Sequence, residues 1–444
     1  MNAVGLALMD FVLIAAAVFG LGIAVVALKR WPGFGLYAVG IITMLAWEFP
    51  TLPTLVSVAG FQLKPEDVVS LALVSDLILR PQRFFARTRS YNWLVGITLL
   101  CMLSALIGGI FTFGIPTAVN EARTLFWGAI LTAWLLNQDW AAEPFQRTFK
   151  RWAVLLGLGL VVLFIYHVRT YGFGSADSFV TSTDGVEQTG RPLVSGQAAV
   201  LACFGFFMFQ GAAPKVRGRT IFLGIIFLIV AVLCQHRSVW AAVGIGVGLI
   251  LLRLRGVALA RVVAVAFYGG SFLVILVLSG ALNGMADSLT HSFESMGTFN
   301  ARVDSWDILV QDSFDRGPWS VLFGEPFGFG SARISGTQVV TFAPHNWYVS
   351  VFLRLGLVGL LAFLLMLLIA LVPLLRRQDG LVPTIVVIVI CAYMWTYSLS
   401  WYQVPMLAWA IAFRETPRPE RLLIIKKGLE FSPAYGRLSR LARA

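Results

Sequence analysis

Four side chains that could carry out chemistry stand far apart in this chain of 444 residues. Three are arginines, Arg191, Arg237 and Arg302, and the fourth is His345. Guanidinium groups bind phosphate oxygens through paired hydrogen bonds, most strongly where water is scarce. A neutral imidazole accepts a proton from a hydroxyl near neutral pH. If the fold brings these groups together, the combination is typical of group transfer from a phosphate-bearing lipid to an alcohol.

Each of these residues also has a plainer interpretation. Arg237 lies between two apolar runs, where a long basic side chain often extends to the membrane interface. Arg191 and Arg302 also fit arginines of a polar loop that face solvent. A lone histidine such as His345 is more often structural than catalytic. The residue types alone leave these alternatives open.

Two further polar residues follow His345 and are candidates for a supporting role. Asn346 is adjacent to the histidine and is placed to orient either the imidazole or a substrate hydroxyl. Arg354 lies inside the apolar run that begins near Asn346. Ionisable residues at membrane depth are costly and often functional, so Arg354 is either an interior ion partner or an arginine used for packing.

Metal and nucleotide chemistry have no sequence signal in this chain. No second histidine or cysteine stands at ligand spacing from His345, and the chain contains no Asp-x-Asp pair and no GxxxxGK[ST] motif. Its four cysteines all lie in or beside apolar runs, where they fit as small core residues: Cys101, Cys203, Cys234 and Cys391. We therefore expect neither a metal nor another cofactor.

The elements that must position these residues are membrane helices. The chain is 58% hydrophobic and only 13% charged, too few charges to cover a soluble protein of this length. Apolar stretches recur at about the 17–25 residues that a helix needs to cross a bilayer. The sequence predicts an all-α polytopic integral membrane protein with a single transmembrane domain, 1–444. About twelve spans are predicted: 5–28, 33–49, 66–80, 92–114, 121–138, 151–167, 194–213, 219–235, 238–252, 258–280, 346–375 and 381–400.

Basic loops predict the orientation in the membrane. The net charge of +12 comes from arginines and lysines in short loops and in the tail 414–444, which indicates cytoplasmic loops rather than nucleic-acid binding. The opposite side then receives two long polar loops, 168–193 and 281–345. Lys29 and Arg30 would place the N-terminus outside, against the pattern of the later loops, and we favour both termini inside.

The longer outer loop, 281–345, contains a pattern typical of an amphipathic interfacial helix. Apolar residues recur at helical spacing, and acidic or amide residues fall mostly on the other side. The apolar set is Phe299, Val303, Trp306, Val310 and Phe314, and the polar set is Asp304, Asp307, Gln311 and Asp315. The glycine-rich segment 323–330 follows and predicts irregular backbone. We expect this loop to carry part of the site.

Four segments resemble the O-antigen ligase family, within the O-antigen ligase/polymerase superfamily of integral-membrane glycosyltransferases. They are HRSVW at 236–240, NARVDSWDILV at 300–310, LFGEPFGFG at 322–330 and PHNWYVSVFLRLGLVGL at 344–360. The likeness covers mainly 190–375. The last segment matches the family's His-Asn-x-Tyr helix start and its Leu-Gly-Leu-x-Gly continuation.

The resemblance implies a GT-C-like fold and a reaction in the bacterial inner membrane, with the site facing the periplasm. Such ligases move a glycan from undecaprenyl diphosphate to a sugar hydroxyl of lipid A–core, without metal or nucleotide. His345 matches the family's catalytic histidine, and Arg191, Arg237 and Arg302 match its outer-face arginines. The implied partners are the lipid-linked donor, the lipid A–core acceptor and the surrounding membrane lipids, with no nucleic acid.

Three other functions remain open at this point. Within the same superfamily, the chain could polymerise O-antigen repeats or transfer a lipid-linked glycan to serine or threonine of exported proteins. As a transporter, it would show ionisable or broken helices paired at the bilayer midplane. Asp76 and Glu121 are the nearest candidates for such a site, and both are predicted near helix ends.

Overall fold

The computed structural model describes most of the chain. The described residues are 3–31, 33–46, 55–58, 61–79, 84, 88–172, 179–181, 187–210, 217–253, 256, 297–335, 338–340, 344–377 and 379–413. The predicted span 258–280, the first part of the outer loop (281–296) and the basic tail 414–444 lie outside these residues.

Helices dominate the described part of the chain, as the composition predicts. In chain order they are α1 Ala3–Arg30, α2 Gly33–Leu45, α3 Pro65–Leu79, α4 Asn92–Phe113, α5 Ile115–Asn137, α6 Glu143–Tyr171, α7 Ser195–Phe207, α8 Arg217–Leu233, α9 Arg237–Arg253, α10 Gly297–Asp315, α11 Pro318–Phe323, α12 Trp347–Leu375, α13 Leu381–Met394 and α14 Val404–Phe413. A single 3₁₀ turn, Arg89–Tyr91, precedes α4.

Three short antiparallel hairpins accompany the helices, which the sequence did not predict. They pair β1 Val56–Val58 with β2 Phe61–Leu63, β3 Phe179–Thr181 with β4 Glu187–Thr189, and β5 Arg333–Ser335 with β6 Gln338–Val340. Each strand is only three residues long, and all three hairpins lie in connections between helices. The class therefore stays all-α.

The fold is that of a membrane-embedded protein. Among the described residues, α4, α6 and α12 are each long and apolar enough to cross a bilayer, and several shorter apolar helices accompany them. Large apolar side chains point outward: Phe111 is 86% exposed and Leu100 is 70% exposed, both on α4. Such a surface would be costly in water and is the normal surface of a helix facing lipid.

Every predicted span that falls within the described residues contains a helix, but several bounds differ. Helix α7 ends at Phe207, well short of 213, and the segment 381–400 is helical only to Met394, with α14 following separately. Helix α6 continues to Tyr171, so the predicted outer loop 168–193 begins four residues later than expected. Helix α6 ends before Gly172, whose φ of 80° is typical of a glycine that closes a helix.

Aromatic side chains interlock the helices in the interior. Trp152 of α6 meets Phe204 of α7 edge to face at 5.3 Å, and Phe149 meets Phe207 in the same way at 5.6 Å. Trp152, Phe149 and Phe204 are almost completely buried. Because lipid is as apolar as a leucine side chain, close packing of this kind, rather than removal from water, holds such helices together.

Helix α12, which follows His345, is broken near its first third. Gly356 has φ 64° and ψ −171°, a backbone conformation that other residues rarely adopt. The short helix α11 lies against this break, and a Cβ at Gly356 would overlap the carbonyl of Leu322. Gly324 has φ 80° and its Cα faces the backbone of Arg354 at the same place. Two glycines therefore allow two backbone segments to touch.

The glycine-rich segment enters the helix bundle just after this contact. The Glu325 amide donates to the carbonyl of Leu353 at 2.7 Å, and the Phe327 amide donates to that of Ala105 at 3.0 Å. The Phe327 side chain is fully buried. Irregular backbone is tolerated at membrane depth where protein encloses it and its polar groups are paired, as the Glu325 and Phe327 amides are here.

Replacing Gly356 should strongly destabilise the fold. An alanine there must adopt a left-handed backbone, costing about 1–3 kcal/mol, and its Cβ must also displace α11. We expect Gly356→Ala to lower the melting temperature and the yield of monodisperse protein in detergent. Gly128→Ala is the matched control, because open space surrounds Gly128 on α5. The control should be neutral or slightly stabilising, and equal melting curves for both variants would contradict the role given to Gly356.

Candidate functional site

Tyr397, in the connection between α13 and α14, is the centre at which distant parts of the chain meet. The His345 ring lies 6.1 Å from the Tyr397 ring, and the His236 ring lies 6.2 Å from it, almost perpendicular. The Arg302 guanidinium lies 5.0 Å from the same ring centroid. Tyr393 stacks on Tyr397 at 5.2 Å and is itself buried.

Arg191 joins this group through two side chains. Its Nη1 donates to Nδ1 of His236 at 3.1 Å, and its guanidinium also hydrogen-bonds the Tyr397 hydroxyl. Arg191 interacts electrostatically with both Arg237 and Arg302. The structure therefore brings together the three arginines and the histidine that the sequence singled out, from segments spread over 155 positions of chain, Arg191 to His345. We call this group, with Tyr397 and His236, the Tyr397 cluster.

The Tyr397 cluster concentrates positive charge. Burial lowers the pKa of Arg191, and the charges of Arg237 and Arg302 lower it further, while the Tyr397 hydroxyl acts in the opposite direction. Arginine side chains in proteins nevertheless keep their positive charge. Like charges held close together in a partly buried place cost free energy. A bound anion would offset this cost, so the arrangement suits a ligand that carries several negative charges.

The turn between α8 and α9 sets the position of Arg237. Gln235 has a left-handed backbone with φ 60°, and the Trp240 indole donates to the carbonyl of Val232 at 2.6 Å across the turn. Arg237 is then the first residue of α9. The dipole of a helix disfavours a positive charge at its N-terminus and favours an anion there. This placement adds to the preference of the cluster for a negatively charged ligand.

His236 has a structural part in the cluster. It is 4% exposed, and its Nε2 lies 2.8 Å from the carbonyl of Leu193, which can only accept a hydrogen bond. Nε2 therefore carries the proton, and Nδ1 is free to accept from Arg191. Burial and the nearby positive charge of Arg191 lower the pKa of His236 to about 3, so this imidazole stays neutral. His236 therefore connects the Arg191 side chain to the Leu193 carbonyl. It has no free lone pair that could accept a proton from a substrate.

His345 is less enclosed and has an unusual backbone. It is half-buried and has φ 49°, in the left-handed region that is uncommon for residues other than glycine. The backbone on both sides is fixed: the Trp306 indole donates to the Pro344 carbonyl, and α12 begins directly after Asn346. Strained backbone of this kind persists where the surroundings impose it, often at functional sites.

Asn346 has a clear structural task. It is the N-cap of α12, and its Oδ1 accepts a hydrogen bond from the Val349 amide at 3.1 Å. The Asn346 carbonyl also accepts from the Ser350 hydroxyl at 2.9 Å. Asparagine is among the best N-cap residues. The cap fixes the direction in which α12 leaves His345, and the described contacts of Asn346 go to this helix start.

Helix α10 places Arg302 in the Tyr397 cluster. Trp306, one turn further along, is 7% exposed and packs edge to face on Trp395 at 6.3 Å. Arg302 Nη1 reaches the carbonyl of Thr396 at 3.3 Å. Asp304 and Asp307 are exposed on the other side. The helix forms where the sequence predicted an amphipathic one, although Phe314, expected on its apolar face, is 58% exposed.

Arg354 does not join the Tyr397 cluster. It is 5% exposed and forms an ion pair with Glu121 of α5, to which its Nε donates at 2.7 Å. Of the two interpretations that the sequence left open, the interior ion partner is therefore right. Glu121 also accepts hydrogen bonds from the amides of Gly328 and Gly330. The pair fastens the glycine-rich segment to α5 and α12.

Sequence reasoning missed Tyr397 and the partner of Arg354. Tyr397 lies at the end of a predicted span among other aromatics, where an interfacial aromatic belt is the ordinary expectation. Glu121 was considered only as a candidate transport residue. Glu121 is the seventh residue of α5, which places it inside that helix rather than at its end. The contacts of Tyr397 with the cluster and of Glu121 with Arg354 join residues that are distant in sequence. No local sequence pattern therefore reveals them.

No model of a known protein family matches this chain, and no curated protein is significantly similar to it. Within the part of the chain that the structure describes, no group of three or more His, Cys, Asp or Glu side chains is placed to hold a metal ion.

Proposed function

We propose that this protein is a membrane glycosyltransferase that moves an O-antigen glycan from undecaprenyl diphosphate to a sugar hydroxyl of lipid A–core. The observation that carries the proposal is the meeting of Arg191, Arg302 and His345 at Tyr397, with Arg237 near enough to Arg191 to interact with it electrostatically. Phosphate-binding groups and a candidate base then share one site in a membrane-embedded fold. The sequence resemblance to O-antigen ligases supports the same reaction.

The arginines and His345 have separate tasks in the proposed reaction. The acceptor hydroxyl oxygen attacks the anomeric carbon, and the bond from that carbon to the diphosphate oxygen breaks with its electron pair. The arginines stabilise the charge that grows on the departing diphosphate. His345 takes the hydroxyl proton as general base. Attack opposite the leaving group inverts the anomeric centre, and the donor bond is already activated, so no nucleotide is needed.

The proposed function also implies a particular orientation of the chain in the membrane. The chain crosses the bacterial inner membrane about twelve times, and the Tyr397 cluster faces the periplasm. Undecaprenyl diphosphate lies in the outer leaflet beside it. The loop arginines and the tail 414–444 face the cytoplasm, in accord with the positive-inside rule. The GT-C-like arrangement places the reacting bond where the lipid chain ends and the sugar begins.

Reconstitution tests the proposal directly. Purified protein in lipid nanodiscs should join undecaprenyl-diphosphate glycan to lipid A–core with chelator present and without ATP, producing glycan-bearing lipid A–core on a gel. If the product is a longer undecaprenyl-linked chain, the protein is a polymerase, and if exported protein receives the glycan, it is a protein O-oligosaccharyltransferase. If no glycan is transferred to any of these acceptors, the proposal is wrong.

A further inference from the structure

Tyr397 contacts two arginines of the cluster in two different ways. Its hydroxyl accepts a hydrogen bond from the Arg191 guanidinium. Its ring lies beneath the Arg302 guanidinium, with 5.0 Å between the ring centroid and Cζ. An aromatic face attracts a cation at this distance. One side chain therefore holds two guanidiniums that come from distant segments of the chain.

The Tyr397 ring is itself fixed by its neighbours. The Tyr397 amide donates to the Tyr393 carbonyl at 3.1 Å, and the two rings stack at 5.2 Å with only 10° between their planes. Tyr393 is 2% exposed, and its hydroxyl shares a hydrogen bond with the hydroxyl of Ser195 of α7 at 3.1 Å. Tyr397 is therefore supported by the buried interior of the protein, and its contacts with the arginines start from a fixed ring.

The two arginines need support because their charges repel each other. Arg191 and Arg302 are near enough to interact unfavourably. Arginine also has a long side chain that loses much rotamer freedom when it is ordered. Without contacts that hold them, the guanidiniums would move apart, and a ligand would have to gather them. A site whose groups are already in place binds more tightly, because less ordering remains to be done when the ligand arrives.

We propose that Tyr397 is a positioning residue of the diphosphate site, whose hydroxyl holds Arg191 and whose ring holds Arg302 so that both guanidiniums face one anion. The inference rests on the proposed function for the identity of that anion. Tyr397 acts through the arginines and not by binding the diphosphate itself. A tyrosine of an ordinary interfacial aromatic belt would not need a hydroxyl bonded to an arginine.

Tyr397→Phe removes the hydroxyl and keeps the ring. The measurement is binding of farnesyl diphosphate, which has a diphosphate and no sugar, to the full-length protein in lipid nanodiscs. We expect the variant to bind this probe about 2–10-fold more weakly than the wild type, the usual worth of one hydrogen bond. Tyr393→Phe is the matched control, because it removes a hydroxyl from the same ring stack, but that hydroxyl is bonded to Ser195. The control should bind the probe like the wild type.

Double-mutant cycles show whether Tyr397 acts through the arginines. The loss caused by Tyr397→Phe should almost disappear when Arg191→Ala is also present, and should stay unchanged beside Arg302→Ala. Tyr397→Leu removes the ring as well, and its extra loss relative to Tyr397→Phe should disappear beside Arg302→Ala. A general loss of structure would weaken binding in every background alike and would lower the melting temperature.

Four results would overturn the inference. They are wild-type affinity in Tyr397→Phe, an equal loss in Tyr393→Phe, a loss in Tyr397→Phe that is the same with and without Arg191, and no binding of farnesyl diphosphate by the wild type. Failure of the proposed function looks different. In that case the cycles show the expected coupling, yet the nanodisc assay yields no transferred glycan.

Discussion

The variant His345→Asn should transfer glycan about 10²–10⁴ times more slowly than the wild type, the usual contribution of a general base. Asparagine is chosen because it tolerates the left-handed backbone of residue 345, where φ is 49°. It keeps a polar side chain of similar reach but has no basic nitrogen. The measurement is initial-rate transfer in nanodiscs with protein amounts matched by size-exclusion chromatography. A rate within a few-fold of wild type would remove the base assignment.

A second substitution separates chemistry from structure at the same position. Glycine adopts a positive φ freely, so His345→Gly should fold and leave a gap beside Tyr397. Added imidazole should then restore part of the rate, which a purely structural histidine would not allow. His236→Gln provides the comparison, because glutamine can still donate to the Leu193 carbonyl and accept from Arg191. Its loss should be several-fold, through the placement of Arg191, and imidazole should not relieve it.

Composition and hydropathy predict most of the architecture. Long apolar runs become helices because every backbone polar group must be satisfied within the segment in lipid, and length alone then identifies candidates such as α4, α6 and α12. The amphipathic pattern around Trp306 likewise predicts α10. The ends of helices are less predictable: α7 and α13 both stop inside runs of apolar residues that hydropathy alone would continue.

The sequence likewise predicts some residues of the candidate site and not others. Residue type and the expected side of the membrane single out Arg191, Arg237, Arg302 and His345, since positive charge is unusual on the outer face. Tyr397 has no local signal, and its role emerges only when the connection after α13 meets Arg302 of α10. The break at Gly356 is also hidden, because a glycine inside an apolar run looks the same whether the helix is straight or broken.

Arg354 illustrates how an ionisable residue in an apolar run can mislead. Its charge suggested a place in the site, but its guanidinium is committed to Glu121 and the Gly330 carbonyl. A buried pair of this kind adds little net stability, while removal of one partner leaves a costly unpaired charge. The pair instead holds the glycine-rich segment against α5 and α12.

The second large loss of transfer rate is expected for substitutions of Arg237. Another arginine of helix α9 provides the control. Arg237→Ala should lower transfer about 10²–10³-fold, the typical loss when one donor to a developing negative charge is removed. Arg237→Lys keeps the charge but loses the planar pair of donors, so its rate should fall between those of the alanine variant and the wild type.

Arg253 is the last residue of the same helix, at the end away from the Tyr397 cluster, and its side chain is exposed. Arg253→Ala and Arg253→Lys therefore make the same substitutions in the same helix without affecting the cluster. Both should transfer glycan at the wild-type rate. Farnesyl diphosphate binding should weaken in Arg237→Ala and stay unchanged in Arg253→Ala, because only the first removes a group that we propose to bind phosphate. If Arg237→Ala and Arg253→Ala behaved alike in both assays, Arg237 would be an ordinary interfacial arginine, and the diphosphate would have to bind elsewhere.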